Sequence, residues 1–185
     1  ILAVRGADRL TAERYLDPSL KTLMPDPASL QDMARAAERR AAAITRGETI
    51  GIFGDYDVDG ASCVALIERF LRDHETTRGQ SGDPKCLTYI PDRLTEGYGP
   101  SPQALTGLVE EGAQLILTVD CGTAGEKAIA AANDAGADVI VLDHHQAGEA
   151  LPPAFAVVNP NRQDDLSGQG HLAAAGLVFL FLVAT

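Results

Sequence analysis

The chain has 185 residues, 45% of them apolar, and carries a formal charge of −11 at pH 7. That length can bury a real core and suits one domain with at most a small N-terminal appendage. The acidity excludes a generally basic, nucleic-acid-coating surface, yet it leaves room for a nuclease whose cations bridge acidic side chains to phosphate.

In chain order, residues 8–16 and the Ala-, Arg- and Glu-rich stretch 28–46 read as helices separated by the proline-bearing segment from Pro18 to Pro27. Residues 1–47 thus form a helical lead-in. Beyond it, β-branched apolar runs near 49–53, 86–90, 114–119, 138–142 and 155–158 alternate with helical patterns near 60–73, 101–111, 123–135 and 169–184. This alternation predicts an α/β domain over 48–185, a parallel sheet flanked by helices on both faces. The polar, Gly-containing residues 76–84 read as an exposed loop.

Cys63, Cys86 and Cys121 include no C-x-x-C pair, and an odd count without a signal peptide suits a reducing cytoplasm. They read as small apolar packing residues. From Leu172 to Ala184 the chain is apolar apart from Gly176, a run shorter than the ~20 residues that cross a bilayer. A buried helix is expected there, and no membrane span. Because the chain opens on Ile1 without Met and stops inside this run, a longer parent protein is expected.

Right-handed crossovers gather the carboxyl ends of parallel strands at one edge, and three acidic motifs fall at such ends. The first drives Asp55, Asp57 and Asp59 off an apolar strand. On an extended segment these alternate residues share a face, with Tyr56 and Val58 packing away and Gly60 permitting the turn into a helix. Clustered carboxylates repel unless a cation sits among them. A calcium loop of the EF-hand type is the competing metal reading, but its twelfth position would be Leu66, and a strand-like run stands where a helix is needed. The non-metal alternative is a solvated acidic turn in which Asp59 caps a helix.

The second motif places Asp120 after the run 115–119 and before Cys121-Gly122-Thr123. Taken alone, it reads equally as a strand-delivered ligand or as a cap of the following helix. In the third, Asp143-His144-His145, a carboxylate and two imidazoles can supply a metal ligand, an orienting partner and a proton shuttle in one turn. A carboxylate-dominated set suits Mn²⁺ or Mg²⁺ better than zinc. A divalent-metal hydrolase is the leading reading.

These motifs resemble the DHH phosphoesterases, whose name is the triplet Asp143-His144-His145. Asp55-Tyr56-Asp57-Val58-Asp59-Gly60 is similar to the first family motif and Val119-Asp120-Cys121-Gly122 to the second. Tyr89-Ile90-Pro91-Asp92-Arg93, Thr95-Glu96-Gly97-Tyr98-Gly99 and Ala156-Val157-Val158-Asn159-Pro160-Asn161 resemble the bacterial RecJ branch. The resemblance implies a single-stranded-DNA exonuclease of recombination and repair that degrades from the 5′ end with Mn²⁺ or Mg²⁺ at a two-metal site. It implies a cytoplasmic protein, with helicase and single-strand-binding protein as possible partners.

Carried over by motif, Asp57 and Asp59 each hold a metal, Asp120 contacts or bridges both, and His144 is a ligand. Asp55 and His145 stand at the margin as ligand, phosphate contact or proton contact, and Asp143 orients the histidines. The family's last ligand, an Asp beyond the small-residue helix, is not among these residues, nor is the C-terminal domain that helps hold nucleic acid. The chain alone is therefore expected to be inactive. Residues 172–177 carry Ala-Gly where many relatives show Ser-Gly or Gly-Ala, a difference read as close helix packing.

By the same resemblance, Arg93 in its Gly- and Pro-rich loop is expected to grip phosphate through its forked guanidinium. The alternative is a loop salt bridge with Asp92 or Glu96. Other activities weighed are hydrolysis of cyclic dinucleotides, very short RNA or pyrophosphate by the same chemistry, and a non-catalytic DNA-binding scaffold.

Overall fold

Strand β1 (Thr49–Gly54) starts the sheet in the computed structural model, which describes residues 1, 3–9, 11–77 and 86–184. Its partners are β2 (Cys86–Tyr89) on one side and β3 (Ala113–Val119) on the other; β4 (Asp138–Leu142) and β5 (Ala156–Val158) follow outward from β3. All four pairings are parallel, in the order β2-β1-β3-β4-β5. The chain reverses its direction of travel between β1 and β3, which makes a crevice at their carboxyl ends where open α/β sheets take ligands.

Period-two alternation sorts the strand side chains into two cores. Ile50, Ile52, Leu115, Leu117, Val119, Ile140, Leu142 and Val158 face one side with α3 (Met33–Arg46), α4 (Val58–Thr77) and α7 (Ala174–Val183). Phe53, Ile116, Val139, Val141 and Val157 face the other with α5 (Pro102–Glu110) and α6 (Glu126–Asp134). Helices on both faces and a wholly parallel sheet match the expected architecture. Cys63 and Cys121 are buried in these cores as free thiols.

Helix boundaries shift where side chains or turns claim backbone groups. The expected helix 8–16 is α1 (Ala12–Leu16), preceded by a reciprocal pairing in which Thr11 N–H donates to Asp8 Oδ1 and Asp8 N–H to Thr11 Oγ1. The proline-bearing segment holds a one-turn helix, α2 (Leu20–Leu23). The expected 28–46 helix splits into a short 3₁₀ turn at Pro27–Ser29 and α3, because Asp32 adopts a left-handed conformation (φ 61°). That backbone turns the Asp32 carboxylate to the β5 edge, where it accepts Val157 N–H at 3.1 Å and Arg162 Nη1 at 2.9 Å. Helix α4 starts two residues earlier than expected and continues to Thr77, so Thr76 and Thr77 are helical; the remainder of the expected 76–84 loop lies outside the described residues.

Helix α7 starts at Ala174 and not near 169. No residue of its own caps it by a side chain, and its sequence is uniformly apolar. Both ends are held from elsewhere. Asp59 of α4 accepts the Ala174 and Ala175 N–H groups at 2.8 Å each. At the far end buried Arg40 of α3 donates to the carbonyls of Phe181 and, at 2.8 Å, Ala184, with its guanidinium over the Phe181 and Phe70 rings. Each charge complements the helix dipole at its end. No described helix is long and apolar enough to cross a membrane.

Candidate metal centre

Asp55 leaves β1, Asp120 leaves β3 and Asp143 leaves β4, so three adjacent strands deliver carboxylates to the crevice. Two clusters of ligand atoms, each within 4.8 Å, form there: Asp55, Asp57 and Asp120; and Asp120, His144 and His145. Asp120 belongs to both. His144 Nε2 stands 3.3 Å from Asp120 Oδ1 and 3.7 Å from Asp59 Oδ2.

The backbone pays for this convergence. Asp120 is left-handed (φ 60°), an unfavourable conformation for a residue with a Cβ and one characteristic of functional turns. Gly122 follows at φ 111°, where an added Cβ would lie 2.4 Å from Thr118 Oγ1.

Asp55, Asp57 and Asp59 do not share an extended face. Helix α4 already begins at Val58, so Asp59 parts from Asp55 and Asp57, and Val58, expected to pack away, is exposed. Asp55 is buried; Asp57 caps α4, accepting Asp59 N–H at 2.9 Å and Gly60 N–H at 3.0 Å; Asp59 turns towards α7. The cap of α4 is therefore Asp57, with Asp59 capping a helix distant in sequence. Gly60, expected to permit the turn into the helix, serves by close approach. It lies inside α4, and a Cβ there would sit 2.3 Å from the Asp55 carbonyl oxygen.

Electrostatics single out Asp120. Burial, reinforced by the charges of Asp59 and Asp57, pushes its carboxyl up to about 7. Burial also raises Asp55, whereas the Gly60 amide holds Asp57 below its ordinary value. Asp55 Oδ1 and Asp120 Oδ1 are buried and accept no hydrogen bond. Unpaired buried carboxylate oxygens are costly, and a hard divalent cation is the partner that an oxygen-rich set with one or two imidazoles offers. The residues fit such an ion.

Asp143 has another task. Its carboxylate accepts His145 Nδ1–H at 2.7 Å, the His144 and His145 amides at 2.8 and 3.2 Å, and Thr123 N–H at 3.0 Å. Burial alone would raise its pKa, but the bonds from His145 and Thr123 outweigh it and hold Asp143 low. Burial likewise works against the His145 cation, and Asp143 more than compensates, raising that pKa.

Several contributors escaped the sequence reading. Asn159, fully buried, donates to Thr123 Oγ1 and to the His145 carbonyl at 2.9 Å each, while Asn161 donates to the His144 carbonyl. Together they fix the backbone of the His pair. Tyr98 O–H reaches the Asp120 carbonyl at 3.3 Å and lies 3.4 Å from His145 Nε2. With Gly122, Thr123, Asp143 and His145, Tyr98 lines a cavity of about 170 Å³ beside the centre. The signal for the asparagines was the Asn159-Pro160-Asn161 sequence directly after a buried strand, a place for side chains that bond to neighbouring backbone.

Arg93 is exposed, its guanidinium 5.1 Å from the centre of the Tyr56 ring. No salt bridge joins it to Asp92 or Glu96 among the described residues; Asp92 accepts Leu94 N–H, and Glu96 accepts Tyr89 O–H and Asp92 N–H.

Residues 49–184 match the DHH family, N-terminal domain. The chain belongs to the DHH family. It is 35% identical over 179 residues to the single-stranded-DNA-specific exonuclease RecJ of Bacillus subtilis, a match covering 97% of this chain and 22% of that protein. Among solved structures it is similar to RecJ in complex with Mn²⁺ from Thermus thermophilus (TM-score 0.71, 29% identity, 99% of this chain and 24% of that one). It is also similar to an exonuclease RecJ bound to manganese (TM-score 0.69, 34% identity, 84% and 37%). The chain thus spans between 22% and 37% of the length of these relatives.

Proposed function

We propose that this DHH chain is the metal-binding part of a single-stranded-DNA-specific exonuclease that degrades from the 5′ end in recombination and repair. The observation that carries this reading is Asp120, shared between two ligand clusters at the switch of the sheet, within a chain about one-third identical to RecJ exonucleases along its length. Asp57, Asp59, Asp120 and His144 would hold Mn²⁺ or Mg²⁺, with Asp55 and His145 at the margin of the set. Bound there, two such ions would activate a water for attack on phosphorus and neutralise charge on the leaving oxygen.

The chain's own groups perform the remaining tasks. Asp143 keeps the His145 ring oriented with its Nδ1 proton on the carboxylate, and this ring, lining the cavity, has its other nitrogen left for phosphate or proton contact. Arg93, in no salt bridge among the described residues and with its guanidinium over Tyr56, offers that group to the DNA backbone. A cytoplasmic setting, and a helicase or single-strand-binding protein as partners, accord with the same reading.

The test compares the full-length protein, this chain alone and the Asp120→Ala full-length variant on 5′-labelled and 3′-labelled single strands with Mn²⁺ or Mg²⁺. We expect 5′-directed degradation by the full-length protein, its loss in the variant, and little cleavage by the chain alone. Hydrolysis of cyclic dinucleotides by a protein inert on DNA would replace the substrate assignment, and DNA binding without cleavage would replace the enzyme by a scaffold.

A further inference from the structure

The turn leading into α7 touches the centre twice, through backbone atoms that meet His144 and Asp59. His144 Nδ1 lies 3.0 Å from the Leu172 carbonyl oxygen. A carbonyl can only accept, so Nδ1 carries a proton, and Nε2, which faces Asp120 and Asp59, is the nitrogen whose lone pair a neutral ring offers. Two residues later, the Ala174 and Ala175 amides each donate 2.8 Å bonds to the two oxygens of Asp59. An ionised carboxylate offers about four lone-pair sites, so two amides fix its plane and leave the remaining pairs for a cation.

We propose that the Leu172–Ala175 turn is a positioning element of the metal centre, its carbonyl setting the His144 tautomer and its two amides holding the Asp59 carboxylate. The inference rests on the proposed metal site and gives a role to the small-residue sequence that otherwise reads only as packing. Ala173 is extended (φ −70°, ψ 161°), and Ala174 is fully buried in the core.

The decisive variant is Ala174→Pro. Proline is well tolerated at the first helical position, and Ala173 already has the extended backbone that a residue before proline requires. The change removes one donor to Asp59 and nothing from the helix ladder. Calorimetry with Mn²⁺ alone should show affinity roughly 10- to 100-fold weaker, the range for lost orienting partners, with the circular dichroism spectrum unchanged. Nuclear magnetic resonance of the unmutated chain with Mg²⁺ supplies a second readout that needs no variant to fold. The Ala174 and Ala175 amides should stay protected from exchange when Mg²⁺ binds, and His144 should keep its Nδ1 proton while its Nε2 resonance moves.

Affinity within twofold of the parent in a folded Ala174→Pro protein would overturn the inference. So would loss of amide protection on Mg²⁺ binding, because Asp59 would then be leaving the helix to reach the ion. Asp57→Asn and Asp120→Asn separate this failure from failure of the site itself: unchanged Mn²⁺ affinity in both would remove the metal site and the inference with it.

Discussion

The Asp143 carboxylate accepts the Thr123 backbone N–H at 3.0 Å and so ties the turn after β3 to the turn after β4. One buried side chain thereby sets the relative position of Asp120 and the His pair. Asp143→Ala should destabilise the fold by about 2–3 kcal/mol in urea titrations, because buried amides lose their acceptor. Asp143→Asn, which keeps the shape and one acceptor oxygen, should recover part of that loss. A wild-type midpoint for the Ala variant would remove the tie.

The metal-free protein should lose stability as pH rises through neutrality. Asp120 has a folded value of about 7 against about 4 when unfolded, so its relative contribution is full below about pH 4 and gone above about 7. His145, raised above its ordinary value, has the same sign: its stabilisation is present below about 6.5 and lost as pH passes the folded value. The depressed Asp57 and Asp143 act oppositely, but only in acid. Thermal melts in a chelator from about pH 5 to about pH 8 should therefore decline, and Mn²⁺ should lift the upper end most, since binding displaces the Asp120 proton. A flat profile would contradict the burial of Asp120 as a strained acid.

Gly60→Ala should cost about 2–3 kcal/mol and weaken divalent-ion binding together. The new methyl would meet the carbonyl oxygen, carbonyl carbon and amide nitrogen of Asp55 at 2.3, 2.7 and 2.8 Å, all backbone, so Asp55 must move. Denaturation and calorimetry on the same sample check both effects; an unaltered Mn²⁺ affinity would uncouple Asp55 from the centre.

Arg93→Ala in the full-length protein should weaken handling of single-stranded DNA roughly ten- to hundredfold while leaving Mn²⁺ affinity intact, as expected for one lost charge-assisted contact. Lysine should rescue only part, lacking the planar fork. Exonuclease kinetics over a range of DNA concentrations decide the matter, and unchanged kinetics in the Ala variant would dismiss the phosphate contact.

The sheet was legible because its signals are local: β-branched apolar runs of four to six residues such as 114–119, separated by helical patterns, leave little choice but parallel pairing. The convergence of Asp55, Asp120 and Asp143 followed from placing each at a strand end. What the chain did not reveal locally is where backbone geometry departs from the nearest regular element. The first motif reads as a strand extension, but Asp57 caps a helix that starts immediately after it, which sends Asp59 to a partner 115 positions away in sequence. The left-handed Asp32 and Asp120 are equally silent, because aspartate carries no sequence mark of the conformation that the surrounding packing imposes on it.

Arg40 and Asp59 turn α7 into a strut of fixed span. Ten residues of helix reach ~15 Å, and the strut is gripped at one tip by a carboxylate of the metal centre and at the other by a buried guanidinium of the lead-in. The N-terminal helices are thus joined to the metal centre by one helix, although none of their described residues is among its ligand clusters.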